Sequence, residues 1–98
     1  MTLEFLGQAE TELVEAVAFY NGESEGLGYE FAAEVNRTLL RIAEHPLAWA
    51  PLSNRTRRCR TNRFPFGLIY QVREDVILIV AVMHLHREPT SWKSRVER

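Results

Sequence analysis

One uninterrupted apolar run, residues 76–83, places the strongest constraint on how this chain folds. The run is rich in valine and isoleucine, which favour strands, and it is far too short to cross a bilayer. A strand that is apolar at every position must be covered on both faces. We therefore predict a central strand with helices over one face. The other face needs the C-terminal residues around Trp92, a second copy or a partner, because it would otherwise leave an apolar patch exposed.

Two segments before this strand repeat apolar residues at helical spacing. Residues 8–21 and residues 27–44 both show the repeat, and a glycine-rich turn at residues 24–28 joins them into an antiparallel hairpin. Alternating or aromatic runs predict three more strands, at residues 2–6, 57–62 and 64–72.

This order of elements predicts a single domain over residues 1–98 with an α+β fold. The element order is β-α-α-β-β-β. The helical hairpin packs on one face of a mostly antiparallel four-stranded sheet, and a short helix holding Trp92 follows at the C-terminus.

The charges are separated along the chain, although the net charge is only -1. Residues 1–49 carry nine acidic and two basic groups, whereas residues 50–98 carry four acidic and ten basic groups. Such a basic half suggests an anionic partner such as nucleic acid or an acidic protein. The alternative is that the arginines pair with the acidic helices of the same chain. Five arginines open the basic half: Arg55, Arg57, Arg58, Arg60 and Arg63.

The remaining bulk features indicate a cytoplasmic protein that needs no cofactor. A basic start followed by an apolar segment, as in a secretory signal, is missing from the first residues. The single cysteine, Cys59, cannot form an internal disulfide, and we expect it to be a small buried residue. His84 and His86 could face the same side of an extended chain, but without a further Cys/His cluster we expect no metal site and no cofactor.

Several short motifs fall at fixed places in this order of elements. They are Ala16…Phe19-Tyr20, Gly28…Phe31…Val35, Ile42…Pro46, Arg63-Phe64-Pro65-Phe66…Ile69-Tyr70 and His84…Arg87-Glu88-Pro89…Trp92…Arg95. Taken together, the chain resembles the RelE/ParE superfamily of toxins from bacterial toxin–antitoxin modules. The resemblance implies a small toxin that a cognate antitoxin silences. It also implies that the toxin forms either a homodimer or a heterotetramer with the antitoxin.

One branch of the superfamily, the RelE-like toxins, cuts messenger RNA on the ribosome without a metal. The resemblance to that branch implies basic and imidazole groups that accept the ribose proton and neutralise the phosphorane charge. The corresponding catalytic candidates in this chain are Arg58, Arg60, His84 and His86. Two expected groups are missing, because Gly67 stands where an arginine is required and Trp92 where a tyrosine is required.

The other branch, the ParE-like toxins, resembles this chain better. The Phe-Pro-Phe start of a strand, the His84…Arg87…Pro89 spacing and Trp92 are typical of it. That branch inhibits DNA gyrase by protein–protein binding and has no catalytic residues. The resemblance implies target binding by the sheet edge and the C-terminal segment, through Arg60, Arg63, Arg87, Trp92 and Arg95. A degenerate, inactive toxin remains a third alternative.

Some of these residues also have simple structural interpretations. Trp92 could fill the core instead of binding a target, and Tyr20 and Tyr70 fit apolar stripes of the core. We expect the antitoxin to cover either the face of Ile77 and Ile79 or the groove between the helices and the sheet.

Overall fold

The computed structural model describes residues 1–87 and 90–96. Glu88 and Pro89, which contribute to one of the motifs above, lie outside the described residues. The described part contains two α-helices, five strands and one 3₁₀ turn. The elements are β1 Thr2–Phe5, α1 Gly7–Glu23, α2 Leu27–Glu44, β2 Ala50–Pro51, β3 Thr56–Arg60, β4 Phe66–Arg73, β5 Val76–His84 and the 3₁₀ turn Lys93–Arg95.

The strands form one mixed sheet in the order β1-β5-β4-β3-β2. The predicted α+β class and the helical hairpin are confirmed, and the short C-terminal helix is a single 3₁₀ turn. The sheet has five strands instead of four because Ala50 and Pro51 pair with β3. It is mixed because β1 runs parallel to β5, whereas the other strand pairs are antiparallel. A parallel neighbour is possible here because a long crossover, which includes both helices, separates the two strands.

A close approach between backbones fixes the crossing of the two helices at Gly28. A Cβ at this position would lie 2.1 Å from the main-chain oxygen of Val17. The Gly28 N–H also donates to Asn21 Oδ1 at 2.7 Å. Only glycine therefore allows the turn of the hairpin to pack this tightly.

The amphipathic face of α2 explains why the hairpin lies on the sheet. Phe31, Val35 and Ile42 recur at helical spacing and are buried, with 2% exposure or less. They pack against Leu68 and Tyr70 of β4. Burial of this stripe supplies the main hydrophobic stabilisation of the helix on the sheet.

The central strand β5 is covered on both faces, as its sequence requires. Ile77 and Ile79 pack under the helices, whereas Leu78 and Val80 face the opposite, outer face. Trp92 covers that outer face and is only 4% exposed. The prediction that an antitoxin covers Ile77 and Ile79 is therefore wrong, because the protein's own helices close that face. The groove between helices and sheet remains available.

A β-bulge interrupts the alternation of β5 at Val80. Tyr70 pairs with Ile79, but the preceding residue of β4, Ile69, pairs with Ala81. The extra residue puts Val80 and Ala81 on the same outer face and returns Val82 to the helix side.

Candidate functional site

An open groove of about 490 Å³ runs between α1 and the end of β5. Its walls are partly aromatic, and Phe19 in one wall is 61% exposed. Acidic residues of α1 line one side, and histidine and arginine line the other. The lining residues are Glu12, Glu15, Ala16, Phe19, Tyr20, Phe66, Val82, His84, His86 and Arg87. An open groove with exposed aromatic surface is the kind of surface that binds protein segments.

The two histidines at the end of β5 form an ordered pair. Their ring centroids lie 5.2 Å apart, and the ring of His84 also contacts Phe66 at 5.3 Å. The main-chain N–H of His86 donates to His84 Nδ1 at 3.1 Å. Neutral His84 therefore carries its hydrogen on Nε2, which is available as a donor. The two histidines therefore lie close together, as their spacing in the sequence predicted.

A second, smaller cleft of about 60 Å³ lies on the outer face of the sheet. Arg58, His84 and Arg87 line it together with apolar side chains and Gly67. A Cβ on Gly67 would lie 3.0 Å from Cγ and Cδ of Arg58. The space left by the missing side chain at this position is therefore bordered by the aliphatic stem of Arg58. No acidic side chain lines the cleft among the residues that the structure describes.

The four residues of the RelE-like catalytic prediction do not converge on one point. Arg58 and His84 line the small cleft, whereas His86 lines the groove between α1 and β5. Arg60 lines neither the small cleft nor the groove, and instead lines a third pocket near Arg41, which Arg58 also lines. The two arginines therefore share a pocket at the edge of the sheet, whereas the two histidines share the groove between α1 and β5.

The loop between β3 and β4 is held by a buried carboxylate. Glu34 of α2 is 3% exposed and accepts hydrogen bonds from the main-chain N–H groups of Asn62 and Arg63. Arg37 adds a hydrogen bond and an ion pair. Burial opposes the charged form, but these hydrogen bonds and the Arg37 charge outweigh it and lower the pKa of Glu34 below its ordinary value.

The same loop carries an unusual backbone conformation at Phe64. Its φ is +76°, in a region that side chains with a Cβ rarely adopt. The Thr61 hydroxyl donates to the main-chain oxygen of Phe64 at 2.8 Å. The ring packs at 4.9 Å from Tyr20 and 5.2 Å from Phe31. The aromatic contacts therefore offset the backbone strain and anchor the loop that presents Arg63.

The arginines of the basic half have different partners. Arg63 pairs with Glu30 of α2 at 2.7 Å, and both side chains are more than half exposed. Arg57 donates to the Trp49 main-chain oxygen. Arg58 and Arg60, in contrast, form no ion pair with any carboxylate of residues 1–87 and 90–96. Neutralisation by the acidic helices is therefore limited, and accessible positive charge remains.

Two predicted target-binding residues are part of the fold itself. Arg95 forms a bidentate pair with Glu12 of α1, at 2.7 and 2.9 Å, and both side chains are almost buried. This hydrogen bonding raises the pKa of Arg95 further. Trp92 is buried against the outer face of the sheet, as its core interpretation required. Their role in target binding stays a prediction.

The Glu12–Arg95 pair also completes the hydrogen bonding of the β5 bulge. Arg95 donates to the Val80 main-chain oxygen at 3.0 Å, and Glu12 accepts from the Val82 N–H at 3.0 Å. These groups lie just beyond the end of β1, whose last bond to β5 runs from Leu6 N to Ile79 O. The Glu12–Arg95 pair thus supplies hydrogen bonds to β5 where β1 no longer does. No sequence signal pairs two residues 83 positions apart, so Glu12 was missed.

Burial raises the pKa of three other titratable residues of the core. Cys59 is buried, and burial raises the pKa of its thiol. Burial also raises the pKa of Tyr70 to about 12, and its hydroxyl donates to the Pro46 main-chain oxygen. The pKa of Tyr20 is raised by burial as well. The predictions that these three residues belong to the core are confirmed.

Within residues 1–87 and 90–96, no group of three or more His, Cys, Asp or Glu side chains could hold a metal ion. None of the helices in this part of the chain has the length and apolar character that a membrane span requires.

The family model of the ParE toxin of the type II toxin–antitoxin system parDE matches residues 3–89. This chain therefore belongs to the ParE toxin family, and the family implies a cognate antitoxin. The prediction of the ParE branch is confirmed.

A solved structure supports the same fold. A chain of the chromosomal ParDE toxin–antitoxin system from P. aeruginosa superposes with a TM-score of 0.77 at 14% identity. The match covers 88% of this chain and 97% of that chain. No curated protein sequence matches the chain significantly.

Proposed function

We propose that this protein inhibits DNA gyrase in the cytoplasm by protein–protein binding and that a cognate antitoxin neutralises it. Family membership supports the toxin and antitoxin parts of this proposal. The observation that carries the binding mechanism is the groove between α1 and β5. It combines the exposed ring of Phe19 with His84, His86 and Arg87 at one end. Aromatic and arginine side chains are the residue types most enriched at interface hot spots.

The division of the catalytic candidates favours binding over RNA cleavage. In-line cleavage needs a base, an acid and cations around one phosphate. Arg58 and Arg60 share a pocket at the edge of the sheet, whereas His86 lines the groove between α1 and β5. Gly67 leaves no cation where the nuclease branch requires one, and the buried Trp92 offers no phenol.

Three of the predicted target-binding residues are exposed and therefore accessible to a partner protein. Arg60, Arg63 and Arg87 all lie at the surface, and the ion pair of Arg63 with Glu30 is exposed. Trp92 and Arg95 contribute by holding the C-terminal turn in place. They would contact gyrase directly only after this turn had moved.

The antitoxin is expected to bind in the groove with an acidic, partly apolar segment. The apolar part would cover Phe19, and carboxylates would pair with His86 and Arg87. Binding of this kind gives a defined complex, such as a heterotetramer, and blocks the surface assigned to the gyrase contact.

A supercoiling assay with purified gyrase tests the proposal. The wild-type toxin at excess should inhibit supercoiling, and the antitoxin encoded beside its gene should restore it. Phe19→Ala and Arg87→Ala should each weaken inhibition about tenfold or more. Arg55→Ala is the matched control, because Arg55 is exposed but lies away from the groove. Unchanged supercoiling at excess folded toxin would reject the gyrase target.

One observation favours a second candidate, the ribosome-dependent messenger ribonuclease. Arg58 and His84 line the same cleft. Primer extension on translated message should then show cuts that His84→Ala and His86→Ala abolish. The absence of cuts would remove this candidate, and harmless induction in the native host would identify a degenerate toxin.

A further inference from the structure

The β5 bulge decides on which side of the sheet His84 lies. Ile77 and Ile79 face the helices. Strict alternation along the strand would then place both Val82 and His84 on the outer face. The bulge shifts the alternation by one residue, so that Val82 faces the helices instead. The ring of His84 therefore lies 5.3 Å from that of Phe66, between centroids, and lines the groove between α1 and β5.

Hydrophobicity alone does not specify the place of this bulge. Residues 76–83 are all apolar, so a shift of the bulge along β5 would exchange one apolar side chain for another in the core. The difference becomes chemical at His84, because a bulge moved beyond this residue would return its imidazole to the outer face. The bulge therefore needs a polar anchor to stay at Val80.

The Glu12–Arg95 pair provides such an anchor. The strand β1 ends beside Ile79, so the Val80 oxygen and the Val82 N–H lie beyond its reach. Arg95 donates to the Val80 oxygen and Glu12 accepts from the Val82 N–H, each at 3.0 Å. Two side-chain hydrogen bonds, of 2.7 and 2.9 Å, join Glu12 to Arg95. Because unpaired buried main-chain groups are costly, the bulge is favoured at the place that these two side chains reach.

We propose that Glu12 and Arg95 are positioning residues for the groove. By anchoring the bulge at Val80 they keep His84 on the side of the sheet where a partner protein binds. His86 follows, because its main-chain N–H donates to His84 Nδ1. The importance of the groove rests on the function proposed above, whereas the position of His84 does not depend on that function. In this role Glu12 and Arg95 act through His84 and need no contact with the partner.

Nuclear magnetic resonance of the purified full chain, with labelled histidine and phenylalanine, tests the position of His84. In the wild type we expect nuclear Overhauser effects between the rings of His84 and Phe66. Glu12→Ala and Arg95→Ala should each reduce this signal by about half or more, because a second register of β5 becomes comparably populated without the anchor. Circular dichroism identifies the temperature at which each variant is folded, and the spectra are compared there.

Two further variants separate positioning from a general loss of an ion pair. Glu30→Ala is the matched control, because it breaks an ion pair of the same 2.7 Å length that is exposed and makes no contact with the bulge. It should leave the His84–Phe66 signal unchanged. Glu12→Gln keeps an oxygen that accepts from the Val82 N–H, and it should retain the signal that Glu12→Ala loses.

The supercoiling assay connects this position to inhibition. Glu12→Ala should weaken inhibition about fivefold or more, and Glu12→Gln less than about twofold. If the wild-type toxin leaves supercoiling unchanged, the gyrase proposal is rejected, and the resonance experiment still decides the position of His84. Weaker inhibition by a Glu12→Ala protein with an intact His84–Phe66 signal would overturn the positioning role, since Glu12 would then act by direct contact.

The resonance experiment also has outcomes that overturn the proposal by themselves. These are an unchanged His84–Phe66 signal in folded Glu12→Ala and Arg95→Ala, or an equal loss of signal in Glu30→Ala. If neither alanine variant folds, Arg95→Lys decides. An ammonium keeps the charge but lacks the fork that donates to Glu12 and to Val80 at once. A second His84 environment is therefore expected in Arg95→Lys, and a single, unchanged one would reject the anchor.

Discussion

The Glu12–Arg95 and Glu30–Arg63 pairs have the same closest nitrogen–oxygen distance, 2.7 Å, in opposite surroundings. The Glu12–Arg95 side chains are 13% and 12% exposed, and the Glu30–Arg63 side chains 53% and 56%. The first pair also hydrogen-bonds two main-chain groups of the β5 bulge. An exposed pair gains little because water screens it, whereas losing one partner of a buried pair leaves unsatisfied groups. Burial and hydrogen bonding therefore distinguish a structural arginine from an available one.

The largest expected effect comes from breaking the buried pair. Arg95→Ala should lower the free energy of unfolding by about 3 kcal/mol, because Glu12 and the Val80 oxygen both lose their donor. In a domain of this size the melting temperature should fall by about 10–20 °C. Thermal melts by circular dichroism measure the change. A loss below about 0.5 kcal/mol would show that the pair does not hold the C-terminal turn.

A double-mutant cycle makes the comparison quantitative. Glu12→Ala, Arg95→Ala and the double variant should give a coupling energy of more than about 1 kcal/mol. The same cycle on Glu30 and Arg63 should give about 0.5 kcal/mol or less. Urea unfolding supplies the free energies, and equal couplings would contradict the assignment of different roles.

An intermediate effect is expected at Glu34, which joins α2 to the β3–β4 loop. Glu34→Gln should cost about 2 kcal/mol at neutral pH, because two main-chain donors lose a charged acceptor. The folded pKa lies below the ordinary value of about 4.5, so this contribution is complete above that pH and is lost as pH falls through the folded pKa. Urea melts from pH 7 to pH 3 should show the two proteins converging in acid. A gap that stays constant would exclude a charge effect.

The smallest effect on stability is expected for Arg63→Ala, at about 0.5 kcal/mol or less, because its ion pair is exposed. Inhibition of gyrase should nevertheless weaken if Arg63 contacts the target. Arg37→Ala is a useful comparison, since Arg37 also pairs with a glutamate of α2 but supports Glu34. Chemical unfolding and the supercoiling assay together separate stability from binding.

The local pattern of the chain was enough to predict most of the fold. The apolar run of β5, the stripe of Phe31, Val35 and Ile42, and the turn at Gly28 each specify an element and the face it buries. Of the candidate site, the closeness of His84 and His86 was also predictable, because only Leu85 separates them along the chain.

Only the tertiary structure decided the partners of individual charges. A bulge at Val80 reversed the alternation of β5, so that Val82 faces the helix side. The Val80 main-chain oxygen accepts a hydrogen bond from Arg95, and the Val82 N–H donates to Glu12. The sequence could not show that Arg95 forms a structural ion pair whereas Arg58 forms no ion pair among the described residues, because both are arginines in the basic half. Hydrophobic periodicity is local and specifies elements, whereas an ion pair depends on distance and burial that exist only after the chain has folded.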